Sequence, residues 1–148
     1  MRSHVDPDQS VGFALKRLQQ ALRSRMDAAL AEHGLTAPLY AVLAMLGEHP
    51  GLSNAELARR SFVAPPTMLR MLNTLSQAGL IDRAEPTPEQ RIRGNVLTTK
   101  GRQRLTASST PVQQFEDLLV AQAEPGQLEI VMRWLHDCAE QLDGHTRL

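Results

Sequence analysis

Between Leu52 and Gly101 the chain carries an order of local signals that few folds can accept. Ser53-Asn54-Ala55-Glu56 is a capping box, in which the serine hydroxyl and the glutamate carboxylate satisfy free amides at a helix start. It opens a short helix through Arg60, with Leu57 and Ala58 as core contacts. A turn over residues 61–64 leads to Pro65-Pro66, tolerated at a helix start because the missing amide hydrogen has no partner there. A second helix then runs over residues 65–78, and Gly79 supplies its left-handed stop. Two extended pieces, residues 80–85 and 93–98, flank the polar tip Pro86-Thr87-Pro88-Glu89-Gln90-Arg91 and read as a β-hairpin. Thr98 or Thr99 caps the helix that follows.

Two helices joined by a tight turn, with a hairpin after them, form a winged helix-turn-helix, whose second helix enters the DNA major groove. Met68, Met71, Leu72 and Leu75 make an inward stripe at helical spacing, which leaves Pro66, Leu69, Arg70 and Asn73 on the outward face. An outward guanidinium at Arg70 can pair with guanine O6 and N7 or clamp a phosphate. Thr67 lies in the first turn, where backbone amides favour an anion. Asn73 suits adenine or the DNA backbone. Leu69 is apolar among polar neighbours, and two readings stay open: contact with a thymine methyl, or packing in the core. Arg91 and Arg93 belong to the hairpin, where a wing arginine can enter a narrow A·T-rich minor groove.

The charge distribution agrees. The chain is formally neutral, yet residues 59–104 hold nine cations against three anions, a net +6, leaving −6 for the remainder. A basic middle between acidic ends is a footprint for a polyanion.

On either side lie long amphipathic helices. Residues 13–32 carry Leu15, Leu18, Leu22, Met26 and Leu30 at steps of three or four, and end at His33-Gly34. Thr36 caps the next helix, with Pro38 in its first turn; that helix turns Tyr40, Leu43 and Leu46 to one side and stops at Glu48-His49-Pro50-Gly51. The helix after the hairpin runs towards Val120 with a kink at Pro111. The last, residues 127–142, places Leu128, Val131, Leu135, Cys138 and Leu142 on a heptad-like seam. Apolar seams of this size mark an interface. The expected fold is therefore mainly α with a small β-wing, one domain whose residues 1–34 and 105–148 are dimerisation helices around a winged module at 36–101.

Several residues resemble the MarR (multiple antibiotic resistance regulator) family. They are Ser53-Asn54-Ala55-Glu56-Leu57-Ala58, Arg70, Leu75 through Arg83, Glu89-Gln90-Arg91 and Leu97-Thr98-Thr99-Lys100-Gly101. The resemblance spans nearly the whole chain. It implies a homodimer with interlocked terminal helices on a pseudo-palindromic operator of double-stranded DNA, and repression relieved by a small-molecule effector or by cysteine oxidation. The wing departs from the family pattern: Glu89 and Gln90 stand where an aspartate and a basic residue precede the arginine. Pro66 and Leu69 replace commonly polar positions of the recognition helix. The DNA-binding set assigned on this reading is Ser53, Pro66, Thr67, Leu69, Arg70, Asn73, Arg83, Arg91 and Arg93. No catalytic residue, metal or cofactor is assigned, and the ligand site is unknown.

The main reading is a homodimeric, sequence-specific DNA-binding regulator, a repressor released by a small ligand. One alternative is a winged helix used only for protein–protein contact, which has no need of a +6 window. Another is a redox sensor built on Cys138. Relatives that sense oxidation place the key cysteine in the N-terminal helix, whereas Cys138 falls on the apolar seam of the last one. His4, His33, His49, His136 and His145 include no i,i+4 pair, a poor pattern for a metal. Tyr40, His33 and Arg17 lie near the expected junction of dimer helices and winged module, where Tyr40 reads as a core residue. An enzyme is disfavoured because there is no glycine-rich phosphate loop, nucleophile elbow or convincing carboxylate pair. The single cysteine precludes an intrachain disulfide and suits a reducing cytoplasm. No stretch reaches the roughly 18 apolar residues of a membrane helix, and residues 1–10 lack a signal-peptide core.

Overall fold

The computed structural model describes residues 4–89 and 91–145; Gln90 of the wing motif lies outside the described residues. Six α-helices and one two-stranded sheet follow in order: α1 (Val11–Leu30), α2 (Ala37–Glu48), α3 (Asn54–Arg60), α4 (Pro65–Gln77), β1 (Ile81–Arg83), β2 (Asn95–Leu97), α5 (Thr99–Ala121) and α6 (Gln127–His145). This is the mainly helical, winged architecture expected from the sequence. The extended pieces are shorter than expected, because antiparallel pairing is confined to Ile81 with Leu97, Asp82 with Val96 and Arg83 with Asn95.

The helix boundaries follow from capping. Ser10 Oγ accepts from the amide of Phe13 and starts α1, and Gly34, at a φ of 66°, closes the turn that follows it. Thr36 Oγ1 accepts from the amide of Leu39 at 3.4 Å, with Pro38 in the first turn. Asp27, which sequence reasoning passed over, ties the two helices together: its Oδ1 accepts from the amide of Ala37 at 2.6 Å. Helix α5 continues through Pro111.

The chain divides into two compact units, residues 1–112 and 113–148. The core lies in the first. Val42, Leu43 and Leu46 of α2, Leu57 of α3, Met68, Leu72 and Leu75 of α4, and Ile81 and Leu97 of the sheet are buried together. A buried leucine is worth about 1.5–3 kcal/mol relative to exposure. This cluster therefore holds the helix-turn-helix and the root of the wing as one body. Within the second unit, Leu128, Val131, Met132 and Trp134 of α6 are all exposed.

Candidate nucleic-acid interface

Helix α3 begins with the expected reciprocal cap. Ser53 Oγ accepts from the amide of Glu56 at 3.2 Å, and the Ser53 amide donates to Glu56 Oε2 at 2.7 Å. The backbone hydrogen bond from Ser53 holds the Glu56 carboxyl below its ordinary range. A depressed carboxyl contributes its stability above the unfolded-state value and loses it as pH falls through the folded one, so this cap opens only in acid. The turn into α4 passes through Phe62, whose φ of 56° lies in the left-handed region that glycine usually occupies. Phe62 is 91% exposed.

Helix α4 divides its faces as the periodicity requires. Met68, Leu72 and Leu75 are buried and Met71 is half-buried, while Pro66, Leu69, Arg70 and Asn73 are exposed. Leu69 is 49% exposed, which settles its two readings against core packing. Thr67 is half-buried and its hydroxyl accepts from the Arg70 guanidinium at 3.4 Å, a long bond that leaves Arg70 available. Thr74 Oγ1 donates to the Arg70 carbonyl at 3.0 Å. Gln77 is exposed one turn beyond Asn73, on the same outward face; its signal in the sequence was the spacing of four from Asn73.

The wing is rooted by a polar cluster that sequence reasoning missed. Asn95 of β2 is only 3% exposed, and its Nδ2 donates to the Leu52 carbonyl at 3.0 Å and to Asn54 Oδ1 at 2.9 Å. A buried carboxamide left unmatched costs about 1–3 kcal/mol. Arg83, assigned from sequence to DNA, donates to the same Asn54 oxygen at 3.2 Å and to the Arg93 carbonyl at 3.3 Å. Arg93 Nε donates to the Ala84 carbonyl at 3.0 Å. Both guanidinium groups are exposed yet engaged in shaping the wing. Arg91 is exposed at its tip, beside an exposed Ile92.

Two glycines let backbones meet here. A Cβ on Gly94 would lie 1.9 Å from the Gly51 carbonyl oxygen, so the strand can approach the loop before α3 only without a side chain. The same holds for Gly101, whose Cβ would lie 1.9 Å from the Leu80 carbonyl oxygen. Thr98 resolves the choice of cap for α5. Its Oγ1 accepts from the Gly101 amide at 3.0 Å and donates to the Gly79 carbonyl at 2.6 Å. Lys100 Nζ donates to the Ala78 carbonyl at 2.8 Å. Leu97 through Gly101 thus clasps the end of the recognition helix. Arg102 and Arg104, counted in the basic window, also hold backbone carbonyls, those of Leu97 and His33.

The sequence pattern of the MarR family matches residues 35–92, the segment that runs from α2 through β1 to the tip of the wing. The chain is 40% identical over 95 residues to the HTH-type transcriptional repressor Rv2887 of Mycobacterium tuberculosis, covering 64% of this chain and 68% of that protein. The chain belongs to the MarR family. It is a winged helix-turn-helix transcription regulator of that family rather than an enzyme. Among solved structures, Rv2887 in complex with salicylic acid superposes with a TM-score of 0.67 at 33% identity, over 88% of this chain and 97% of that one. The repressor CouR bound to a 23-mer DNA duplex gives 0.78 at 26% identity, over 93% and 99%. The MepR–DNA complex of S. aureus gives 0.86 over 93% and 99%, a likeness of fold at 20% identity.

Proposed function

We propose that this MarR-family protein works in the cytoplasm as a homodimeric repressor that sets two copies of α4 into successive major grooves of a pseudo-palindromic operator. The observation that carries the reading is the outward face of α4, where Pro66, Leu69, Arg70 and Asn73 are exposed opposite the buried Met68, Leu72 and Leu75. Arg70 would read guanine or hold a phosphate, Asn73 would take adenine, and Leu69 would meet a thymine methyl. Thr67 and Ser53 would meet phosphates near helix starts, Arg91 would enter the minor groove, and Arg83 and Arg93 would flank it. Similarity to CouR bound to DNA supports the placement of the module.

Dimerisation is supported by what a single chain leaves open. Among the described residues α1 buries only Leu30, and Phe13, Leu15 and Leu18 are 43–53% exposed; α6 exposes Trp134 and Met132. Helices with one apolar face are stable only when that face is covered. A two-fold pair covers both and sets the half-sites about 34–36 Å apart.

Release by a small organic acid is supported by a groove of about 410 Å³ between α1, α2 and the turn before α4. Leu22, Met26, Met45, Phe62, Val63 and Met71 make it apolar, with Arg23 and Arg60 among its lining residues to take a carboxylate. Such a volume fits a small ligand. A ligand preferring a shifted α4 would favour the state that leaves DNA. Rv2887, solved with salicylic acid, is a relative of matching chemistry.

Sedimentation tests the assembly in one experiment. The free chain is expected to run at twice its 16.4 kDa mass and to place two protomers on one operator duplex. Added aromatic carboxylate is expected to strip that complex. A monomer, or one protomer per duplex, would contradict the dimer, and a complex indifferent to carboxylates would remove the groove from the mechanism.

A further inference from the structure

At the root of the wing, beside the backbone pairing of Asn95 with Gly51 and Leu52, one side-chain oxygen of the helix-turn-helix serves both strands. Asn54 Oδ1, at the start of α3, accepts from Asn95 Nδ2 of β2 at 2.9 Å and from the Arg83 guanidinium of β1 at 3.2 Å. Asn95 also binds the Leu52 carbonyl through both its side chain and its backbone amide, and Arg83 also binds the Arg93 carbonyl. The strands are only three residues each, so their mutual pairing supplies little rigidity. The same residues border the cleft, about 120 Å³, that Leu69 and Asn73 of α4 line from the recognition side.

We propose that Asn54 is the pin that fixes the angle of the wing against the recognition helix, with Asn95 and Arg83 as positioning residues that act through it on the wing-tip Arg91. The inference rests on the DNA-binding reading for its consequence, though not for its geometry. A wing whose root is loose spends less time where Arg91 can reach the minor groove, and apparent affinity falls by the fraction lost. Arg83 then contributes to DNA affinity mainly by holding the wing rather than by touching a phosphate.

The test uses the full chain, with Asn54→Ala, Arg91→Ala and the double variant. Backbone hydrogen exchange of the free protein is read at the amides of Ala84 and Asn95, and at Leu72 and Leu75 as an internal reference. Asn54→Ala is expected to speed exchange about tenfold at the wing root and to leave α4 unchanged. Affinity for a duplex selected from a randomised pool is expected to fall about tenfold in each single variant, and the double variant to fall no further than Arg91→Ala alone. Additive losses would overturn the proposal, since Asn54 would then act on DNA by itself. Unchanged exchange, or exchange raised equally in α4, would overturn it too, by showing no pin or only a general stabiliser. Should Asn54→Ala fail to fold, Arg83→Met replaces it, because Arg83 is exposed and its stem is kept; coupling with Arg91→Ala is again expected, and additivity would overturn the role. If the unsubstituted chain selects no duplex, the DNA-binding reading and the Arg91 consequence fall together, while the exchange result still decides the pin.

Discussion

Replacing Gly101 by alanine is expected to lower the thermal midpoint by about 10 °C, a loss of about 3 kcal/mol or more in a chain of this size. The added methyl would sit 1.9 Å from the Leu80 carbonyl oxygen, and that oxygen already accepts from the Thr98 amide at 3.0 Å. A rotamer change cannot relieve the clash, because both partners are backbone. Either α5 lifts from the end of α4, breaking the Thr98 and Lys100 bonds to Gly79 and Ala78, or Leu80 leaves the core. Against a total stability of about 5–15 kcal/mol, either outcome removes a large share. Melting followed by far-ultraviolet circular dichroism checks it, with a shift under about 2 °C counting against the tight clasp.

That clasp marks the boundary of what could be read in advance. Periodicity and capping are local, and they located all six helices, the Ser53 box, the Gly79 stop and the two faces of α4. Leu97-Thr98-Thr99-Lys100-Gly101 was visible as a family signature, but its reason was not: the glycine answers to Leu80, some twenty residues away, and no spacing rule carries that distance. Asn54 and Asn95 were invisible as a pair for the same reason. Asn54 read as one residue of a capping box, and Asn95 as one residue of a strand. Leu69 was undecided because a leucine on a helix flank fits either a core or a groove, and only its neighbours decide. Arg83, Arg93, Arg102 and Arg104 show the limit of counting charge. Their cations contribute to the basic field, but their hydrogen bonds go to the protein's own backbone and, for Arg83 and Arg102, also to the side chains of Asn54 and Thr99.

Arg70→Ala is expected to weaken operator binding about 10- to 100-fold with little change in stability. The side chain is exposed and its partner is the Thr67 hydroxyl at a long 3.4 Å, so the fold loses almost nothing when it is removed. The two roles open to the guanidinium separate in the same titration. If Arg70 holds a phosphate, the loss is uniform across sequences and the salt slope falls by about 1; if it reads guanine, the loss concentrates on the selected sequence and discrimination relaxes at one position. An unchanged affinity would take Arg70, and the outward face it centres, out of the interface.

Helix α4 and the wing are proposed to bind duplex DNA through a basic surface and a sequence-reading helix. The most direct measurement is a titration of the purified chain against labelled duplex from its own upstream region, or selected from a randomised pool, beside a scrambled duplex at low and moderate salt. The expected dissociation constant is about 10⁻⁸ M or tighter for the selected duplex at moderate salt, at least about 1,000-fold tighter than for the scrambled one. Binding should weaken steeply, by roughly a thousandfold or more, between about 50 and 200 mM salt. Equal, weak and salt-independent binding to both duplexes would contradict it, and would leave the exposed face of α4 to a protein partner.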